Sequence, residues 1–226
     1  AVEELHNIGV QAAIRIGSCG ALQKGIGLGE LVLVSGAVRD DGASKAYVPA
    51  IYPAVADFTL YSCCVEAAKT LGAVTHEGIC HSHESFYHEE NEAESAYWSK
   101  KGVLGADMET AALFTIGRLR GMKTASILNN VVLYGEDTAD SIGDYVGGES
   151  ATAKAGNSHG AGGLLSSGNE GRQMRKLLVV DCCIRKEESR TKKILERFLS
   201  AAPSDCEVER LVLTEENLAP LVGDFF

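Results

Sequence analysis

The chain has 226 residues, 45% of them hydrophobic, and a formal net charge of −10. That is enough apolar material for one sizeable core, or for a domain with a fragment attached. The acidic balance argues against a polynucleotide partner. No apolar run approaches the length of a membrane span, and no signal peptide opens the chain.

Residues 1–8 read as a helix stopped by Gly9. A helix already under way at Ala1 leads to the expectation that sequence has been lost upstream. Residues 11–16 read as a buried strand that closes on a turn of small residues, and 31–38 as a second strand of near-continuous aliphatics. Residues 54–71 are helical by period, with Gly72 as the stop, and 73–81 form a third strand. A polar loop is expected over 82–94. A helix follows over 109–120, stopped by Gly121, and then a strand over 123–132. Strands alternating with helices predict an α/β layer fold with a largely parallel sheet.

The composition changes after Lys154. Residues 155–173 are rich in Gly and Ser and carry no apolar period. They read as a flexible linker or as an out-of-frame segment, because shifting the frame by one base over 154–164 permits an amphipathic helix. Residues 174–226 then open a new pattern: a strand over 176–181, an amphipathic helix over 189–199 and a strand over 208–213. The expected division is therefore 1–154, 155–173 and 174–226.

The seven cysteines are Cys19, Cys63, Cys64, Cys80, Cys182, Cys183 and Cys206. An odd number, two adjacent pairs and no C-x-x-C read as reduced thiols of a cytoplasmic protein. His76, His81, His83 and His88 invite a metal reading. No third ligand follows His81 and His83 at a recognised spacing, so no metal is expected.

Two short stretches carry chemistry. Arg15-Ile16-Gly17-Ser18-Cys19-Gly20-Ala21 ends an apolar run on an arginine, at the carboxyl end of a strand where α/β folds hold ligands. A guanidinium pairs with two oxygens of a phosphate, and Ser18 with the backbone around Cys19 and Gly20 could complete the cradle. Asp107-Met108-Glu109-Thr110-Ala111-Ala112 places two carboxylates around a methionine at a helix start. Capping of the helix explains this pattern. So does binding of adjacent ribose hydroxyls, with methionine packed on the sugar.

These stretches, together with Ala1-Val2-Glu3-Glu4-Leu5, Arg39-Asp40-Asp41-Gly42-Ala43-Ser44, Tyr52-Pro53-Ala54-Val55-Ala56-Asp57 and Ser85-Phe86-Tyr87, occur in one order over residues 1–153. In that order they resemble the nucleoside phosphorylase family, on its uridine-cleaving side. The resemblance implies a mixed sheet flanked by helices, incomplete at its N-terminus. It also implies phosphorolysis of a nucleoside to free base and ribose 1-phosphate, in a homo-oligomer. Inorganic phosphate is then a co-substrate and no cofactor is needed.

By the same resemblance Arg15 and Ser18 bind phosphate, and Arg15 and Glu109 are the catalytic pair. Met108, Glu109 and Cys19 line the ribose. Gly20, Phe86, Glu90, Glu92 and Asn130 lie at the base. Uridine is the candidate nucleoside, but uridine-cleaving relatives carry a glutamine and an arginine where this chain has Glu90 and Glu92, and two acids cannot make the same hydrogen-bond pattern with uracil. Asn130 falls near the place where purine-cleaving relatives put an aspartate.

Residues 174–226 resemble the start of flavodoxin-like NAD(P)H-dependent FMN and quinone reductases. The resemblance makes Ser189, Arg190 and Thr191 the FMN phosphate contacts, although Ser189 also suits a helix cap. Only a first βαβ piece is present, so a stable FMN site is not expected. A flavin-binding redox module and a non-catalytic fragment with exposed strand edges are the alternatives to a phosphorylase.

Overall fold

Six strands form the sheet of the first unit: β1 (Ala12–Ala21), β2 (Leu31–Arg39), β3 (Ala54–Val55), β4 (Thr75–Ser82), β5 (Gly105–Asp107) and β6 (Lys123–Val132). Among the described residues five helices accompany them: α1 (Val2–Asn7), α2 (Gly42–Lys45), α3 (Phe58–Thr70), α4 (Asn91–Ser99) and α5 (Thr110–Leu119). The computed structural model describes residues 1–85, 88–136, 175–181 and 206–212, with helical positions 192, 195–196 and 199–200.

The strand order is β3-β2-β4-β5-β1-β6, and β6 also pairs with β2, so five strands close into a ring. β1–β6, β2–β4 and β4–β5 are parallel, whereas β1–β5, β2–β3 and β2–β6 are antiparallel. The sheet is thus mixed rather than largely parallel. The connection over residues 22–30 is shorter than the dozen or so residues a parallel crossover needs. β2 therefore turns back against β6 instead of joining its parallel neighbours on that side.

Three further boundaries differ from the sequence reading. The small residues after Ile16 are not a turn: β1 runs on to Ala21, laddered on β6, with a register shift between Cys19 and Gly20. The helix expected from residue 54 begins at Phe58, where the Asp57 side chain accepts from Leu60 N at 2.9 Å. Ala54 and Val55 are drawn instead onto the edge of β2. The polar stretch over 82–94 gives way to α4, whose Trp98 packs with Val38 against buried Leu22, Val103 and Ala106.

The main core lies between α5 and the sheet. Ala111, Leu113 and Phe114 pack on Val32, Val34, Cys80 and Leu128. Phe114 and Leu128 are fully buried, each contributing about 1.5–3 kcal/mol of transfer free energy. Gly117 lets the helix approach β6 closely, because a Cβ there would run into the Thr124 methyl.

The chain divides into two units, Ala1–Gly160 and Ala161–Phe226. In the second, β7 (Arg175–Asp181) and β8 (Cys206–Val212) pair in parallel from Arg175↔Cys206 to Asp181↔Val212. Helical positions lie between them in the chain, and Arg210 is ion-paired to Glu196.

Candidate active site

β1 and β6 run side by side with Arg15 opposite Ser126, Gly17 opposite Leu128 and Cys19 opposite Asn130. Alternation along β1 puts Arg15, Gly17 and Cys19 on one face. Ser126 and Leu128 face α5, so Arg15 is delivered to the start of that helix. There its Nη2 donates to the Glu109 carboxylate, and its Nε lies 3.8 Å from Asp107 Oδ2. Nη1 is buried with no hydrogen-bond partner. The residues expected to hold an anion and a polyol, 94 positions apart in sequence, are therefore in direct contact.

The two carboxylates around Met108 have separate tasks. Asp107 is 2% exposed and accepts from Ser82 Oγ at 2.6 Å, Thr110 N at 3.1 Å and Thr110 Oγ1 at 2.5 Å. Thr110 Oγ1 in turn lies 2.9 Å from Ser126 Oγ, and Ser82 Oγ accepts from Ala111 N at 3.0 Å. Asp107 thus satisfies the first N–H of α5 and ties the helix to β4 and β6, which is the capping alternative. Glu109 makes no side-chain cap. Its side chain is 60% exposed and remains the group that can meet a ligand. Met108 beside it is half-buried.

The remaining expected residues fall in several places. Ser18 is exposed, and alternation sets it on the face away from Arg15, opposite Asn129. Cys19 is buried, and burial first, with the Asp107 charge second, pushes its thiol up to about 12. It is an inert wall rather than a nucleophile. Gly20 is half-buried at the register shift. Glu90 and Glu92 are exposed at the start of α4. Phe86 lies outside the described residues, as do Ser189, Arg190 and Thr191.

Asn130, expected at the base, lies on β6. It is fully buried, and its amide nitrogen donates to Ile26 O at 3.3 Å and Gly27 O at 3.1 Å. Its backbone also bonds Glu30 O and Gly29 N. The side-chain nitrogen holds the 22–30 connection, while Oδ1 is buried without a hydrogen-bond partner. A buried amide finds the nearest carbonyls, and those came from a loop whose path the sequence did not show.

Sequence reasoning missed the groups that support the site. Ser82, Thr110 and Ser126 are small hydroxyl residues without a pattern of their own. Arg39 is 8% exposed and donates to Ser44 Oγ, Ser44 O, Val48 O, Pro49 O and Tyr52 O at 2.7–3.0 Å. It stitches the segment from α2 to Tyr52 into one piece. Asp41 caps α2, accepting from Ser44 N at 2.6 Å.

His81 and His83 stack with ring centroids 5.3 Å apart, and His81 also lies against Trp98 at 5.0 Å. His81 Nε2 is 3.3 Å from Asp40 Oδ2. Burial holds the His81 imidazole below its ordinary value, with Asp40 opposing. The histidines therefore pack, and among the described residues no cluster of metal-binding side chains occurs. Nor, among those residues, is any helix long and apolar enough to cross a membrane. Cys19, Cys64 and Cys80 are free thiols.

With this geometry in place, comparison with known proteins is informative. The sequence model of the Phosphorylase superfamily matches residues 1–141. Uridine phosphorylase of Klebsiella aerogenes is 36% identical over 145 residues, covering 58% of this chain and 57% of that enzyme. Guanosine phosphorylase of Halorubrum lacusprofundi is 35% identical over 144 residues, covering 62% and 59%. The crystal structure of uridine phosphorylase from Vibrio fischeri ES114 complexed with 6-hydroxy-1-naphthoic acid superposes with a TM-score of 0.59 at 51% identity, covering 63% of this chain and 59% of that one. The chain thus spans less than two thirds of the length of these relatives. The matched stretch contains β1, α5 and the Arg15–Glu109 contact between them, and the chain belongs to the phosphorylase superfamily and, within it, to the nucleoside phosphorylase family.

Proposed function

We propose that the first unit carries out nucleoside phosphorolysis. A phosphate oxygen forms a bond to the anomeric carbon, the glycosidic C–N bond breaks, and the base leaves with the electron pair and takes up a proton. The observation that supports this most directly is the Arg15–Glu109 contact, which sets a cation from within β1 beside a carboxylate just past the carboxyl end of β5. Arg15 supplies charge and a two-pronged donor for phosphate. Glu109 accepts from the two ribose hydroxyls, with Met108 against the sugar. Held together, the reactants need little further ordering, and fixed charges meet the developing oxocarbenium ion and phosphate.

The base preference on this reading leans toward edges rich in N–H donors, since Glu90 and Glu92 can only accept when ionised. Guanine presents such an edge, and a relative at 35% identity is named for guanosine. Homo-oligomeric assembly and a cytoplasmic location complete the reading, the latter supported by the free thiols.

Incubating the chain with uridine, guanosine, inosine and adenosine, with and without phosphate, tests it. Base release that requires phosphate supports the reading. Release in water alone replaces it by hydrolysis, and no release from any nucleoside favours the non-catalytic fragment.

For the second unit we propose a flavodoxin-like opening, supported by the parallel β7–β8 pair with helical positions between its strands. The FMN alternative rests on Ser189, Arg190 and Thr191. Flavin fluorescence quenching on titration with FMN tests it, and an unquenched signal removes it.

A further inference from the structure

Gly17 sits two residues beyond Arg15 on the same face of β1, opposite Leu128 of β6. A Cβ built there falls inside the Arg15 guanidinium: its three nearest neighbours are Nη1, Cζ and Nη2 of that side chain, the last at 2.8 Å. The guanidinium therefore lies back along its own strand, over the space the missing side chain leaves. Nη1, the atom deepest in that space, is buried and has no hydrogen-bond partner. Nη2 reaches Glu109, and Nε faces Asp107. All three nitrogens have fixed addresses, and the address of one is the glycine.

We infer that Gly17 is a positioning residue for Arg15 in the proposed phosphate site, an inference that rests on that reading. The strand does not need this glycine for its backbone, which lies in the ordinary extended range. Alanine suits a strand better than glycine, since it costs less chain entropy to order. What a methyl group there displaces is the far end of a flexible side chain, and a flexible side chain moves at little cost to the fold. A misplaced guanidinium is costly to ligand binding, however, because each lost hydrogen bond between charged groups weakens affinity about tenfold or more. Stability and function thus respond with opposite sign to one methyl group.

The test uses the full chain with Gly17→Ala, Arg15→Ala and the double substitution. Inorganic phosphate is titrated by calorimetry, and the melting temperature is read in parallel. Gly17→Ala is expected to weaken phosphate binding at least about tenfold while holding or raising the melting temperature. In the Arg15→Ala background it is expected to have no further effect on phosphate, because the group it displaces is gone. Phosphate affinity equal to that of the unsubstituted chain overturns the inference and leaves the phosphate site standing, provided Arg15→Ala still loses it. Additive losses in the double variant, or a melting temperature that falls with the affinity, also overturn it by making Gly17 a requirement of the fold. No phosphate binding by the unsubstituted chain overturns both the inference and the reading beneath it.

Discussion

The Arg15 guanidinium donates to the Glu109 carboxylate, so the cation expected to hold phosphate and the anion expected to hold ribose occupy each other. The two side chains differ in setting, 19% and 60% exposed, so the pair is neither a buried bridge nor a free surface contact. On the proposed function, each ligand competes with the partner residue for its own ligand group, and the first to bind frees the group that the second requires.

Glu109→Gln follows from this. It is expected to remove nucleoside cleavage, because the ribose hydroxyls lose their ionised acceptor. The same change is expected to tighten inorganic phosphate roughly two- to fivefold, the worth of a partly exposed ion pair. Calorimetric titration with phosphate measures the second effect. Unchanged or weaker binding would show that the pair does not restrain Arg15.

Asp107→Ala tests the division of labour between the two carboxylates. It strips the buried acceptor from Ser82 and Thr110 and leaves Arg15 Nε without its neighbour. A loss of about 3 kcal/mol in urea unfolding is expected, as for other broken buried polar networks. A loss under about 0.5 kcal/mol, the scale of an ordinary surface change, would place the weight of the α5 terminus elsewhere.

Arg39→Lys keeps the buried charge but replaces a planar fork by one ammonium. Lysine cannot reach the four carbonyls and the Ser44 hydroxyl together. About 2 kcal/mol of stability is expected to be lost. Amide exchange is expected to rise over residues 44–52 before it rises in the sheet. Uniform exchange across the unit would show that the arginine does not hold that segment as a piece.

The depressed His81 imidazole makes stability depend on pH in one direction. Its value in the folded chain lies below 6.5, with burial as the largest cause. The unfolded chain therefore binds the proton more readily. Stability is full above that ordinary value and is lost as the pH falls through it toward the folded value. His83, Asp40, Glu94 and Lys45 face or charge the same cluster. Unfolding curves at about pH 8 and about pH 5, compared with those of His81→Phe, measure it. The substitution is expected to flatten this part of the dependence, and an unaltered slope would assign it to other groups.

Much of this was legible in the residues themselves. Arg15, Met108 and Glu109 stand out because an apolar run closing on arginine and a helix opening on carboxylates are local patterns, although the strand itself runs on to Ala21. The helix over 110–119 and the strand over 123–132 follow from apolar period and stop signals. Such features depend on neighbours within a few positions, and short-range sterics and burial determine them.

The folded arrangement alone decided which carboxylate serves the helix and which faces a ligand, since Asp107 and Glu109 are alike in sequence. It also decided that β6 closes onto β2, and that Asn130 holds a loop. In sequence Gly17 is a small residue of a supposed turn that lets a ligand approach the backbone closely. Its meaning came from a side chain two positions away lying back across it. These outcomes turn on which groups from distant segments meet when the sheet closes. A buried polar group takes whatever partner the tertiary path brings within about 3 Å, and no local pattern in the chain records that path.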